Sequence, residues 1–81
     1  MLYYDDVTPG MTCNVPDGYQ GRCKVVLDGM VSRSVVLPNV EEAKKVAFMA
    51  LDLTIGGYGE ATIEATDEQA TIETAIDWIT D

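Results

Sequence analysis

One segment, residues 39–55, constrains the fold of this chain most, because its pattern predicts a helix that is apolar over more than half of its circumference. Asn39 is suited to cap this helix through its side-chain oxygen, and Glu41 and Glu42 suit the positive N-terminal end. Three alanines on one side of the helix favour a close approach to a sheet. A helix with so little polar surface needs cover from two directions.

The bulkier side chains of this helix, Phe48, Leu51 and Ile55, point away from the alanines. Glu41 and Lys45 belong to a narrow polar strip and have the i,i+4 spacing that favours an ion pair. The apolar arc is broad for a chain of 81 residues to cover. A homodimer formed through this arc is therefore one alternative that the sequence allows.

The size of the chain predicts one small domain, residues 1–81, with a single core. Because 47% of the residues are hydrophobic and 23% are charged, the chain is expected to be globular. Its apolar runs are shorter than the roughly 20 residues of a membrane span, and MLYYDD lacks the features of a secretion signal. We therefore expect a cytoplasmic location.

Residues 21–37 contain the clearest local motif, in which two strand-like runs flank Asp28-Gly29. Asp-Gly is typical of a type I′ turn, so the segment predicts a β-hairpin with a two-residue loop. In that register Lys24 faces Arg33, which is unfavourable unless an acidic residue from the second half of the chain lies close. Both sides of the hairpin carry apolar and polar residues, so the sequence does not determine which side faces the core.

Two short runs before the hairpin are further strand candidates. They are Met1–Tyr4 and Met11–Val15, and turns are expected at Pro9-Gly10 and at residues 16–18.

The segment Tyr58–Ala65 alternates strictly, with Tyr58, Glu60 and Glu64 on one side and small or apolar residues on the other. This pattern predicts a strand with one solvated, carboxylate-bearing face. The glycines at 56–57 are expected to end the preceding helix.

A second helix is predicted from the capping-box pattern at residues 66–69 to about Thr80. In this helix Asp77 and Asp81 stand near the negative C-terminal end, which is unfavourable for helix stability. Trp78 lies on the flank of an apolar stripe formed by Ile72, Ala75, Ile76 and Ile79.

These elements together predict an α+β fold in the order β-β-β-α-β-α. The sheet is expected to be small and mainly antiparallel, built from the central hairpin and one or two further strands. Two helices are expected to pack on it.

The residue types argue against catalysis and against metal or cofactor binding. The chain has no histidine, so Cys13 and Cys23 have no imidazole as a base, and two thiolates alone rarely form a structural metal site. The two cysteines are expected either to form a disulfide between neighbouring strands or, in the interpretation that we favour, to stay reduced. The glycines at 56–59 follow a helix, whereas a phosphate loop precedes one. We therefore expect a non-enzymatic protein without cofactors.

The charge is the strongest bulk signal, with a net value of −9. Residues 1–45 contain six acidic and five basic residues, whereas residues 46–81 contain eight acidic residues and no basic one. Such a field repels nucleic acid and anionic membranes and attracts basic surfaces. The bases Arg22, Lys24 and Arg33 are expected to neutralise the protein's own acids.

Three explanations of the acidic C-terminal half are left open: a solvated surface that keeps the protein soluble, a salt-loving source, and a surface that docks in the Lys/Arg groove of a partner in place of a phosphate backbone. Under the third explanation, carboxylates bind the partner and neighbouring aromatic residues anchor it. The predicted partner-binding residues are Tyr58, Glu60, Glu64, Asp67, Glu68, Glu73, Asp77, Trp78 and Asp81.

In its size, its order of hairpin, helix and strand, and these acidic residues, the chain resembles the small acidic inhibitors that phages encode against host nucleic-acid machinery, anti-CRISPR proteins among them. The resemblance implies a protein that acts in the host cytoplasm and docks on a basic groove of a CRISPR effector. Bound there, it blocks guide or target nucleic acid without binding nucleic acid itself.

The hairpin followed by an EEA-type helix and a strand is also similar to antitoxin-like HicB domains. This second resemblance implies a regulatory domain that oligomerises and covers a toxin partner.

Overall fold

The structure, a computed structural model, describes residues 10–52 and 58–80. A four-stranded sheet in the order β1-β4-β2-β3 carries two helices, with β1 parallel to β4 and the other pairs antiparallel. The elements are β1 (Met11–Asn14), β2 (Cys23–Gly29), β3 (Ser32–Leu37), α1 (Val40–Asp52), β4 (Tyr58–Ala65) and α2 (Ala75–Thr80). The predicted α+β fold and its element order are confirmed.

Parts of several sequence predictions lie outside the described residues. They are the first candidate strand, Met1–Tyr4, Pro9 of the first turn, the last turn of the predicted long helix, and the glycines at 56–57. In the described part of the chain, no helix combines the length and the apolar character that crossing a membrane requires.

Helix α1 packs on all four strands through its smallest side chains. Ala43, Ala47 and Ala50 are completely buried, together with Val46, which confirms the predicted alanine side. Asn39 caps the helix as predicted, because its Oδ1 accepts a hydrogen bond from the Glu42 amide at 2.9 Å.

The polar side of α1 differs from the prediction in one ion pair. Lys45 Nζ lies 3.3 Å from Glu42 Oε2, at i,i+3 spacing, so the predicted pairing of Lys45 with Glu41 is wrong. Both spacings bring side chains onto one face of a helix, and tertiary contacts choose between them. Here the other oxygen of Glu42 accepts a hydrogen bond from the Ala75 amide of α2 at 2.9 Å, which holds this carboxylate between the two helices.

The hairpin β2–β3 is present, but its predicted register is wrong. Asp28 pairs with Ser32, so the loop has three residues, and Lys24 lies opposite Val36 instead of Arg33. Among the described glycines, only Gly10 and Gly18 have a positive φ, so Asp28-Gly29 does not form the type I′ turn. The longer loop places five residues of the hairpin in the core on the side of α1: Cys23, Val25, Leu27, Val35 and Leu37. Val36, which pairs with Lys24, is also buried.

The turn at residues 16–18 is confirmed, since Gly18 has a φ of 79° and the Tyr19 amide donates to the Pro16 carbonyl at 3.1 Å. Gly10 also adopts a positive φ, 87°, at the point where β1 joins β4. A Cβ at this position would lie 2.6 Å from the Gly59 carbonyl oxygen, so only glycine fits without a shift of the backbone.

Helix α2 is shorter than predicted and begins at Ala75. Residues 66–74 follow a different course, in which Thr71 Oγ1 accepts a hydrogen bond from the Val36 amide at 2.9 Å and the Thr71 amide donates to the Val36 carbonyl at 2.9 Å. These bonds satisfy the backbone of β3 at the edge of the sheet. The capping-box pattern at 66–69 therefore does not start a helix, because the segment pairs with an edge strand instead.

The buried side of α2 also differs from the predicted stripe. Ala75 and Trp78 are buried, with exposed fractions of 2% and 3%, whereas Ile76 is 67% exposed and Ile79 is 42% exposed. The Trp78 ring lies against Tyr58, at 6.5 Å between centroids, and against Arg33, whose Cζ lies 5.8 Å from the ring centroid. The large indole thus takes the inward position that the isoleucine pattern predicted for smaller side chains.

The close packing of α1 predicts that a larger side chain on its alanine side destabilises the protein. Ala50→Leu adds three carbons where the exposed fraction is zero, so we expect the free energy of unfolding to fall by about 1–3 kcal/mol. Urea denaturation measures the change. Ala65→Leu, at an exposed position of β4, is the control, and an equal loss in both variants would contradict the packing described here.

Candidate partner-binding surface

The sheet has two unlike faces, because α1 covers only one of them. Ala61 and Ile63 of β4 are buried under the helix, and Glu60 and Glu64, which alternate with them, are exposed on the opposite face. Since β4 lies between β1 and β2, these two glutamates stand in the middle of the open face and not at its edge. The predicted carboxylate-bearing face of this strand is therefore present.

The strand register adds a third carboxylate to this face. Asp28 of β2 is the direct cross-strand partner of Glu60, and Lys24 is the partner of Glu64. We call Asp28, Glu60 and Glu64 the sheet-face carboxylates. Asp28 accepts a hydrogen bond from Ser32 Oγ at 2.9 Å, whereas Glu60 and Glu64 form no ion pair with any residue in 10–52 or 58–80.

The next acidic residues along the chain lie where β4 leaves the sheet. Lys24 Nζ is 3.0 Å from Glu68 Oε2, and Arg22 Nη2 donates to the Asp67 carbonyl at 3.0 Å. Lys24 thus neutralises one of the protein's own acids, as expected from the sequence. The carboxylate of Asp67 remains exposed beside this pair.

Glu73 and Asp77 lie on the helical layer, apart from the sheet-face carboxylates. Asp77 Oδ2 accepts hydrogen bonds from the amides of Glu73 at 3.3 Å and Thr74 at 3.2 Å, and the Asp77 amide donates to Thr74 Oγ1 at 3.3 Å. This reciprocal arrangement is a capping box at the start of α2. Asp77 therefore stabilises the first turn, and its predicted unfavourable position at the end of a helix is wrong; Asp81 lies outside the described residues.

The two predicted aromatic anchors lie in the core instead of on the acidic surface. Tyr58 is 9% exposed and Trp78 is 3% exposed. A register shift between Asp28 and Gly29 pairs Tyr58 with Gly29, so Tyr58 turns to the side of α1 and leaves the face that carries Glu60. The alternation seen in the sequence could not reveal this bulge.

The structure thus divides the predicted residues into groups. Glu60 and Glu64 come together on the open face, Asp67 and Glu68 lie at its end, and Glu73 lies with the capping residue Asp77 on the other layer. Asp28 was missed in the sequence because it was assigned to a turn, and only the strand register shows that it lies beside Glu60.

Cys13 and Cys23 lie on β1 and β2, with β4 between them. At about 4.8 Å per strand, this places the two strands about 10 Å apart, which is too far for a disulfide. The predicted alternative of a disulfide between neighbouring strands is therefore wrong, and both thiols are free. Burial raises the pKa of the Cys23 thiol above its ordinary value, and the nearby Cys13 raises it further.

Among the described residues, no three histidine, cysteine, aspartate or glutamate side chains are grouped so that they could hold a metal ion. Comparisons with protein-family models, with curated proteins and with solved structures find no match for this chain. The described side chains are therefore the basis on which a function is proposed.

The capping role of Asp77 predicts a loss of stability when its carboxylate is removed. We expect Asp77→Ala to lower the free energy of unfolding by about 0.5–2 kcal/mol, because two backbone amides lose their acceptor. Glu73→Ala removes a neighbouring exposed charge with no such contact and is the matched control. Equal unfolding midpoints for the two variants in urea would show that Asp77 does not cap α2.

The positions of the two cysteines predict different reactivities. Cys13 is half-buried and lines a surface pocket with Tyr19 and Lys44, whereas Cys23 is fully buried and has a raised pKa. Because the thiolate is the reactive form, a thiol reagent at pH 8 should modify Cys13 rapidly and Cys23 only after unfolding. Cys13→Ser should abolish the rapid phase, and a rapid phase that persists in this variant would disprove the assignment.

Proposed function

We propose that this protein is a non-enzymatic, acidic protein-binding module that docks its open sheet face on a basic, nucleic-acid-binding surface of a partner protein and competes there with nucleic acid. The observation that carries this proposal is the placement of Asp28 directly opposite Glu60 on an exposed face. Like charges at paired positions of a sheet are destabilising. The pair of Asp28 and Glu60 therefore lowers the stability of the fold. A contact with lysine or arginine side chains of a partner explains its presence better than solubility alone does.

The surroundings of the sheet-face carboxylates support the same conclusion. Thr12, Thr62 and Ser34 on the open face are neutral, and Lys24 on the same face is paired with Glu68. The field of the carboxylates is therefore poorly compensated within the described residues, and the net charge of −9 acts in the same direction. Such a field steers a basic partner toward this face and repels nucleic acid.

The spacing of the carboxylates suits a basic groove that normally follows a phosphate backbone. Glu60 and Glu64 are four residues apart on one strand, or about 13 Å, with Asp28 beside the first of them. Lysine and arginine side chains that neutralise successive phosphates release counterions, and carboxylates held on a rigid strand substitute for those phosphates. The partner class that the sequence resemblance implies is a CRISPR effector, whose channel for the guide–target duplex is positively charged.

The proposal is tested first by a pull-down with the tagged protein from a bacterial lysate, washed at increasing salt. A recovered protein that elutes as the salt rises is identified and purified. Its binding to a fluorescent nucleic acid is then measured with and without this protein. If the partner no longer binds the nucleic acid when this protein is present, the proposal is supported. If the partner binds this protein and the nucleic acid at the same time, the proposed competition is overturned.

The sheet-face carboxylates give a sharper prediction, because folding and binding should respond in opposite directions. Glu60→Gln removes the repulsion with Asp28, so we expect the free energy of unfolding to rise by about 0.2–1 kcal/mol. Glu60→Gln combined with Glu64→Gln should weaken binding to the purified partner about tenfold at physiological salt, which corresponds to about 1.4 kcal/mol.

The matched control changes the net charge equally on the helical side of the molecule. Asp17 and Glu41 are both exposed and lie away from the open sheet face, so Asp17→Asn combined with Glu41→Gln should bind the partner as the original protein does. Equal losses in the two double variants would show that only the net charge matters. If both double variants bind the partner as tightly as the original protein does, docking led by charge is excluded.

A further inference from the structure

The helical layer contains an open apolar groove that the acidic sheet face does not use. It lies between α1 and α2, has a volume of about 490 Å³, and is formed mainly by Phe48, Met49 and Ile76. We call it the interhelix groove. Ile76 is 67% exposed and Ile79, one helical turn further along α2, is 42% exposed, so the apolar surface continues beyond the groove.

The groove exists because Trp78 occupies the place that the apolar stripe of α2 would otherwise fill. Its ring packs on Tyr58 and near Arg33, and this turns Ile76 outward. The position of α2 is fixed at the same time, since the Ala75 amide donates to Glu42 of α1 at 2.9 Å. The groove is therefore held open by defined contacts and is preformed in shape.

The two exposed charged residues at the start of α2, beside the interhelix groove, are both acidic. On its wall Glu42 and Lys45 form an ion pair with each other, so these two charges compensate. Glu73 and Asp77 flank the lining residues of α2 and are exposed, with no further base among the lining residues. An occupant that places cations beside its apolar contact is therefore complementary to this groove.

A second copy of this chain meets these requirements poorly. A symmetric dimer brings the same patch of both copies together, so Glu73 and Asp77 would face their own counterparts. Each copy also carries a net charge of −9. A cationic occupant has neither disadvantage.

We propose that the interhelix groove receives a basic amphipathic helix of the partner protein, with apolar residues inserted against Phe48, Met49 and Ile76 and with lysine or arginine beside Glu73 and Asp77. Grooves of this kind bind helices through apolar anchors spaced at i, i+3, i+4 and i+7. Methionine adapts its shape to such anchors because its side chain is unbranched. The proposal rests on the proposed function, in that the partner is basic, and it adds a second contact on the opposite layer of the molecule.

The test uses two synthetic peptides of about 14 residues with the same content of leucine and lysine. In the first the leucines follow the helical spacing, and in the second they are spread around the helix. Binding to the full-length protein is measured by calorimetry, and the emission of Trp78, the one tryptophan of the chain, reports on α2. We expect the amphipathic peptide to bind at least about tenfold more tightly than its isomer.

Variants locate the binding site. Ile76→Ser changes an exposed side chain, so the fold is expected to persist, and it should reduce binding of the amphipathic peptide to the level of the isomer. Met30→Ser is the control, because Met30 is 96% exposed at the hairpin loop, away from the interhelix groove, and should have no effect. Equal binding of both peptides, or full binding by Ile76→Ser, would overturn the proposal.

Two further outcomes separate this proposal from others. A dimer in sedimentation that Ile76→Ser converts to a monomer would make a second copy the occupant and would overturn the proposal. With the purified partner, a loss of binding in the Glu60 and Glu64 variant but not in Ile76→Ser would retain the proposed function and reject the groove. A loss in Ile76→Ser alone would support the groove and reject docking by the sheet face.

Discussion

The contact between the alanine side of α1 and the sheet is the interaction on which the rest of this structure depends. Because Ala43, Ala47 and Ala50 have almost no side-chain volume, the helix lies close to the strands, and the larger residues of the sheet fill the core. The face turned toward α1 thereby becomes the inside, and the other face is left to solvent.

Because one face of the sheet packs against α1, the positions of the acidic residues of β4 are determined as well. Ala61 and Ile63 must point to α1, so Glu60 and Glu64 must point away from it, because side chains alternate along a strand. The central position of β4 then sets both glutamates in the middle of the open face, and the pairing with β2 brings Asp28 to the same place. The proposed docking surface is in this sense a consequence of how the core is packed.

Helix α2 depends on the same core through different contacts. Its start is held by Glu42 of α1 and by the capping box of Thr74 and Asp77, and its one large inward side chain is Trp78. The like charges of Asp28 and Glu60 and the exposed apolar surface at Ile76 both oppose stability. They lie on opposite layers, and local conflicts of this kind are expected where a protein contacts other molecules.

The sequence by itself determined the class of the fold and the order of its elements. The helix at residues 40–52 and the strand at 58–65 follow from periodicity, from the Asn39 cap and from the small residues on one side, which are local properties. It also determined that acidic side chains line one face of β4, because alternation needs no knowledge of the partner strands. The concentration of acidic residues after residue 45 is likewise a property of composition.

Only the tertiary structure decided the register of the hairpin, the start of α2 and the burial of Tyr58 and Trp78. Each depends on contacts between residues far apart in the chain. Thr71 pairs with Val36 where a helix was expected, and the bulge that turns Tyr58 inward arises from the pairing of β4 with β2. Local propensity was overridden because edge-strand hydrogen bonds and the packing of one indole ring stabilise the chain more than about two additional turns of helix would.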